Sequence, residues 1–118
     1  MNDIKKVYLK ILRIEIEDLK TDIEHLIEEL KKEYEKEQLT NYVFLENLAF
    51  FGNELLGVGY FFKVLNHIDP DAFDTLDSMA DYIKTTFRGM IEEHGLAEAI
   101  NIYVDRKLDK VKKYVAGN

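Results

Sequence analysis

Leu12, Ile16, Leu19, Ile23, Leu26 and Leu30 step along the chain by four and three in alternation. Ile4, Tyr8 and Ile11 extend the stripe backwards, and Tyr34 extends it forwards. Residues at that spacing share one face of a helix. Lys5, Lys6, Glu17, Lys20, Glu24 and Glu28 fill the other faces. An amphipathic helix is therefore predicted from about Asp3 to Lys36, with Asn2 or Asp3 as its cap. Heptad spacing is also the spacing of helices that pair. This helix is long for a small domain, and part of its seam is expected to pack against a second subunit.

The pattern then changes. From about Asn41 to Asn66 the chain is apolar almost all round, the mark of a central buried helix, with Thr40 or Asn41 as cap. Gly52, Gly57 and Gly59 each cost about 1 kcal/mol against Ala in a helix interior, which predicts close approach of a neighbouring helix. The Gly57–Gly59 pair runs straight into Tyr60, Phe61 and Phe62 and reads as packing, not as a phosphate loop. Asp69-Pro70 is the clearest boundary, a cap followed by Pro at the first helical position. A third helix is predicted from Pro70 to about His94, ended by Gly95, and a fourth from about Leu96 to Val115. No internal repeat or linker interrupts the run. The fold class is all-α, four main helices in one domain spanning residues 1–118.

Composition narrows the function classes. Seven Tyr and seven Phe in 118 residues, with one Pro and six Gly, exclude disorder and a turn-rich β architecture. A chain this long buries roughly two-thirds of its unfolded surface, enough for a core without staples. There is no Cys, hence neither a disulfide framework nor a thiolate site. No signal peptide is evident, and the apolar region near Leu55 to Phe62 reads as a buried helix rather than a span. No membrane partner is expected, and the cytoplasm is the expected compartment. Abundant Glu, Lys, Ile and Tyr without Cys hints at a thermophile. The balance of 16 basic and 23 acidic residues gives a net charge of −7, which repels phosphate backbones at long range.

Two segments carry candidate chemistry. Glu46-Asn47-Leu48-Ala49-Phe50-Phe51-Gly52-Asn53-Glu54-Leu55-Leu56 resembles the signature of the ribonuclease III catalytic domain, Glu-Arg-Leu-Glu-Phe-Leu-Gly-Asp followed by a polar or small residue and two apolar ones. Glu46, Leu48, Phe50, Gly52, Leu55 and Leu56 fit it. Ala49 and Asn53 stand where the family has Glu and Asp. Met79-Ala80-Asp81-Tyr82-Ile83-Lys84, continuing to Gly95-Leu96-Ala97-Glu98-Ala99, is similar to the family's second acidic helix and the turn after it. There Asp81 is kept, Lys84 replaces Glu, and Arg88 falls where the family has Gly. The stretch between Gly52 and Asp81 is shorter than the family's.

The resemblance implies a minimal ribonuclease III-like helical domain. In that family carboxylates from two helices hold Mg²⁺ or Mn²⁺, which activates water against a phosphodiester. Carried over by position, Glu46, Asn53 and Asp81 are the catalytic candidates, with Glu46 and Asp81 as metal ligands on facing helices. Ala49 and Lys84 mark the lost ligands, and Lys84 is expected either in solvent or paired with Glu46 or Asp81. Glu54 is expected at an interface or on the surface. The family dimerises through its signature helix, so Phe50, Phe51 and Leu55 are the homodimer candidates. The expected function is a dimeric domain with a degenerate metal site and little or no nuclease activity, acting as a scaffold or touching structured RNA. An active metal-dependent endoribonuclease is one alternative, and a four-helix protein-interaction module unrelated to RNA is another.

Other candidates read as structure. His25 with Asp22 and Glu28 or Glu29, His94 with Glu98, and His67 at a helix end lack the Glu-x-x-His pairs of a di-iron bundle. Ser78, the one Ser in the chain, has no His at motif spacing. Arg106, Lys107, Lys110, Lys112 and Lys113 read as compensation of a helix dipole, with RNA phosphates as the alternative.

Overall fold

The computed structural model describes residues 3–117. Its elements are α1 (Ile4–Glu35), α2 (Asn41–Asn66), α3 (Leu76–Glu93) and α4 (Glu98–Val115), with one 3-10 turn at Pro70–Ala72. The described residues contain no strand. The all-α, four-helix expectation holds.

Local chemistry sets the boundaries. Asp3 caps α1 by accepting from the Lys5 amide, and Thr40 caps α2 by accepting from the Val43 amide. Asp69-Pro70 starts only the single 3-10 turn. The third helix begins six residues later than expected, at a reciprocal capping box between Thr75 and Ser78. Ser at the box's far position takes the role more often filled by Glu or Gln, which hides the signal. Gly95 ends that helix with φ +63°, a conformation glycine adopts freely. The fourth helix starts at Glu98, two residues later than expected.

One core joins all four helices. Tyr8, Leu12, Ile16 and Ile23 of α1 are buried with Val58 and Phe61 of α2. Ile83 and Phe87 of α3, and Ile100, Val104 and Leu108 of α4, complete it. The Phe61 and Phe87 rings meet edge to face at 5.0 Å, a favoured aromatic geometry. The buried Tyr8 hydroxyl donates to the Leu108 carbonyl at 3.3 Å. Burial pushes the Tyr8 phenol far up in pKa, so the neutral donor persists.

Successive helices run antiparallel, but their lengths do not match. α1 has 32 residues and α2 has 26, against 18 each for α3 and α4. α3 and α4 pack beside the first half of α1 and the second half of α2. The rest of α1 and α2 projects as a two-helix hairpin, and the molecule measures 57 × 28 × 22 Å. Tyr34 stacks on Phe44 at 4.1 Å and hydrogen-bonds Asn41 at 2.9 Å, closing the hairpin tip. Leu26 belongs to the seam by spacing, yet it is 47 % exposed because α4 begins too late to cover it.

α2 is long and apolar enough to cross a membrane by length and composition alone, a property that core helices of bundles share, and about a third of that stretch is buried in the bundle. Its glycines also differ in kind. A Cβ on Gly57 would lie 3.0 Å from Ile100, so α2 and α4 touch there. Gly52 and Gly59 have nothing within 4 Å of that position. Gly59→Ala should raise monomer stability by about 1 kcal/mol through helix propensity. Gly57→Ala should lower it by about 1 kcal/mol, because the strain against fully buried Ile100 exceeds the propensity gain. Urea unfolding of the two variants checks both signs.

Candidate functional site

Glu46, Ala49 and Asn53 share one face of α2, as their spacing requires. With Phe50 they line a shallow pocket closed by Gly95, Leu96 and Ala97 of the α3–α4 turn. Asn53 has a definite job there. Its side-chain carbonyl accepts from the Ala97 amide at 2.9 Å. Ala97 is the N-cap position of α4 and makes no side-chain cap of its own. The amide side chain from a neighbouring helix thus satisfies the N-cap amide, the donor that a Glu or Gln at the N3 position takes in a capping box and that Ile100, at N3 here, cannot.

Asp81 lies elsewhere. It is exposed on α3, and its charge acts on Lys112 near the far end of α4. From Ala97 to Lys112 the helix climbs about 22 Å. Glu46 and Asp81 therefore sit towards opposite ends of α4, and the expected pairing of the two carboxylates is not formed. The reason is the antiparallel course of α3, which carries Asp81 away from the start of α2 and brings His94 back to Tyr60, ring on ring at 4.2 Å. Among the described residues no three His, Asp or Glu side chains converge in a way that could hold a metal ion.

Lys84 and Arg88 pair across to α4. Lys84 meets Asp109 at 2.6 Å, and Arg88 meets Asp105 at 3.4 Å. Neither meets Glu46 or Asp81 in an ion pair. The basic end of α4 is also engaged: Lys107 and Lys110 both hold Glu15, at 3.0 and 3.1 Å, and Lys112 holds Asp77 at 2.9 Å. The two lysine hydrogen bonds keep the Glu15 carboxyl below its usual range. These lysines tie α4 to α1 and α3, a use that dipole compensation alone does not include.

No family model, curated protein or solved structure matches the chain. The site must be read from its own geometry.

Two features escaped the sequence reading. Glu54 is buried, 7 % exposed, not a surface residue. It borders a cavity of about 380 Å³ that Asp18, Asp22, Phe50, Tyr103 and Lys107 also line. Burial pushes its carboxyl pKa up. Helix spacing places Glu54 beside Gly57 and Phe61, both buried, but with apolar residues on every side of α2 the sequence does not mark that side as the inner one.

The second feature is the outer stripe of α2. Tyr42, Leu45, Ala49, Gly52, Leu56 and Gly59 are all exposed and follow heptad spacing. Phe51 and Leu55, two of the expected dimer residues, are half-buried and packed against the core. Phe50, the third, is 46 % exposed but faces the cavity lined by Asp18 and Tyr103. The expected interface residues thus lie outside the stripe that is free. Apolar residues all round α2 left the sequence without a polar side to mark the exposed one.

Two outcomes test these placements. The triple variant Ala49→Glu, Asn53→Asp, Lys84→Glu restores the family's acidic residues but not their convergence, so calorimetry with Mn²⁺ should show no binding. Glu54 gives a pH signature. Its folded pKa lies above its unfolded one, so the folded state holds the proton more tightly. The cost of ionising Glu54 is absent below the ordinary glutamate range and grows as pH rises through it. Glu54→Gln should raise the thermal midpoint at pH 7 relative to wild type, and the difference should vanish in acid below that range.

Proposed function

We propose that this chain is a helical protein-interaction module that works through the outer stripe of α2. The observation that carries this reading is the charge distribution on α2. From Tyr42 to Gly59 the exposed heptad positions bear no charge, on a protein of net charge −7. The solvent face of a bundle helix is ordinarily its polar face. Leu45 and Leu56 are 52 % and 51 % exposed, and Tyr42 is 75 % exposed. Contiguous apolar surface of that kind marks a contact site. The projecting hairpin lengthens the surface beyond the reach of α3 and α4. The absence of convergence between Glu46 and Asp81 favours this reading over nuclease chemistry, and the ion pairs at Lys107, Lys110 and Lys112 take charge that RNA phosphates would need.

The test uses a dye and a charge. The double variant Leu45→Glu, Leu56→Glu should keep wild-type helicity, and its unfolding free energy at high dilution should change by no more than about 0.5 kcal/mol, as for surface substitutions. Under conditions where sedimentation shows only monomer, wild type should enhance ANS fluorescence and the variant should lose most of that enhancement. Equal dye binding by both proteins, or an unfolded variant, would reject the stripe as the working surface.

A further inference from the structure

We propose that the occupant of the α2 stripe is a second copy of this chain, docked antiparallel with the two-fold axis beside Gly52. This rests on the interaction reading above and names its partner.

Charge selects the orientation. α2 carries three charges. Glu54 is buried, while Glu46 and Lys63 are exposed towards opposite ends of the helix. A parallel pair would set each against its like. An antiparallel pair centred on Gly52 brings the partner's Lys63 opposite Asn41 and Tyr42, four to five residues, or about 6–7.5 Å, from Glu46 along the helix. A lysine side chain spans that distance. The opposite charges then close both ends of the contact while its middle stays uncharged.

Size selects the register. With the axis beside Gly52, the partner's Gly52 lies against Gly52. Leu45 falls over the partner's Gly59, and Leu56 falls within one residue, about 1.5 Å along the helix, of the partner's Ala49. Each large side chain meets a small one, so two helices can come close and fill the gap without voids. Gly52 and Gly59 each cost helix stability, and neither serves a contact within the chain, since nothing lies within 4 Å of where its Cβ would be. A close partner accounts for both.

Area permits the contact. Tyr42 to Lys63 covers about 32 Å of helix. A contact of that length needs a width of about 25 Å to supply the ~800 Å² per partner of a stable interface. The two shorter dimensions of the molecule are 28 and 22 Å. By helix spacing the half-buried Leu48, Leu55 and Phe62 lie along one edge of the stripe and Tyr60 along the other, and they widen the strip. Because a two-fold pair uses the same patch twice, the assembly closes at two copies.

Sedimentation equilibrium of the full chain at micromolar concentration should give twice the 13.9 kDa chain mass. Gly52→Leu adds a good helix former in open space, so it should fold with wild-type helicity and sediment as a monomer. Lys63→Glu and Glu46→Lys should each raise the dimer dissociation constant, by about tenfold, since each turns two attractive pairs into repulsive ones. The double variant should recover wild-type affinity. In a parallel pair the single substitutions would merely exchange one like-charged pair for another and change little, which would overturn the orientation. A monomeric wild type, or a dimer indifferent to Gly52→Leu, would overturn the pairing. A monomer that floats with phosphatidylcholine vesicles would overturn it in favour of a lipid surface. A monomer that keeps stripe-dependent ANS binding would reject the second copy while leaving the interaction reading intact.

Discussion

The 32 residues of α1 carry an apolar seam along their whole length, and the 18-residue helices α3 and α4 cover little more than half of it. That mismatch divides the molecule. Where three helices surround α1, Tyr8, Leu12 and Ile16 are wholly buried. Where only α2 accompanies it, Leu30 still finds cover but Leu26 does not. A full four-helix bundle hides each helix on most sides. Here the far half is only a hairpin, and its stability depends on what two helices provide, including the Tyr34–Phe44 stack at the tip.

The position of α4 follows from the same geometry. It has to start partway along α2, where no chain end or turn of its own supplies a cap. Asn53 fills that need with a hydrogen bond to Ala97. A side chain that resembles a weakened metal ligand in one dimension is a structural fastening in three. Lys107 and Lys110, gripping Glu15, and Lys112, gripping Asp77, fix the other end of the same helix. Surface ion pairs contribute modestly to stability, but several on one helix hold it against rolling.

Much of the fold was legible because it depends on local chemistry. The bounds of α2, the caps at Asp3 and Thr40, and the stop at Gly95 all follow from residues adjacent in sequence. The start of α3 was missed where an unusual Ser completed the capping box. What could not be read was which side of an all-apolar helix faces outward. Periodicity shows a face only when its polarity differs from the others, and α2 supplies no such contrast. Phe51 and Leu55 therefore could not be distinguished from Leu45 and Leu56, and buried Glu54 could not be told from exposed Glu46. The separation of Glu46 from Asp81 is a matter of helix direction. Motif order along the chain is silent on it.

The bond from the Tyr8 hydroxyl to the Leu108 carbonyl joins residues 100 positions apart. The α1–α2 hairpin, by contrast, closes across a turn of a few residues. Loops that short form within about a microsecond, whereas contacts across a hundred residues wait on a far less probable encounter. On the ribosome the order is stricter still. Synthesis adds about 5–20 residues each second, so the hairpin has emerged seconds before α4 exists. Throughout that interval the groove that later receives Ile100, Val104 and Leu108 is open to the surrounding medium. The nascent chain must spend those seconds as a hairpin with an unfilled seam.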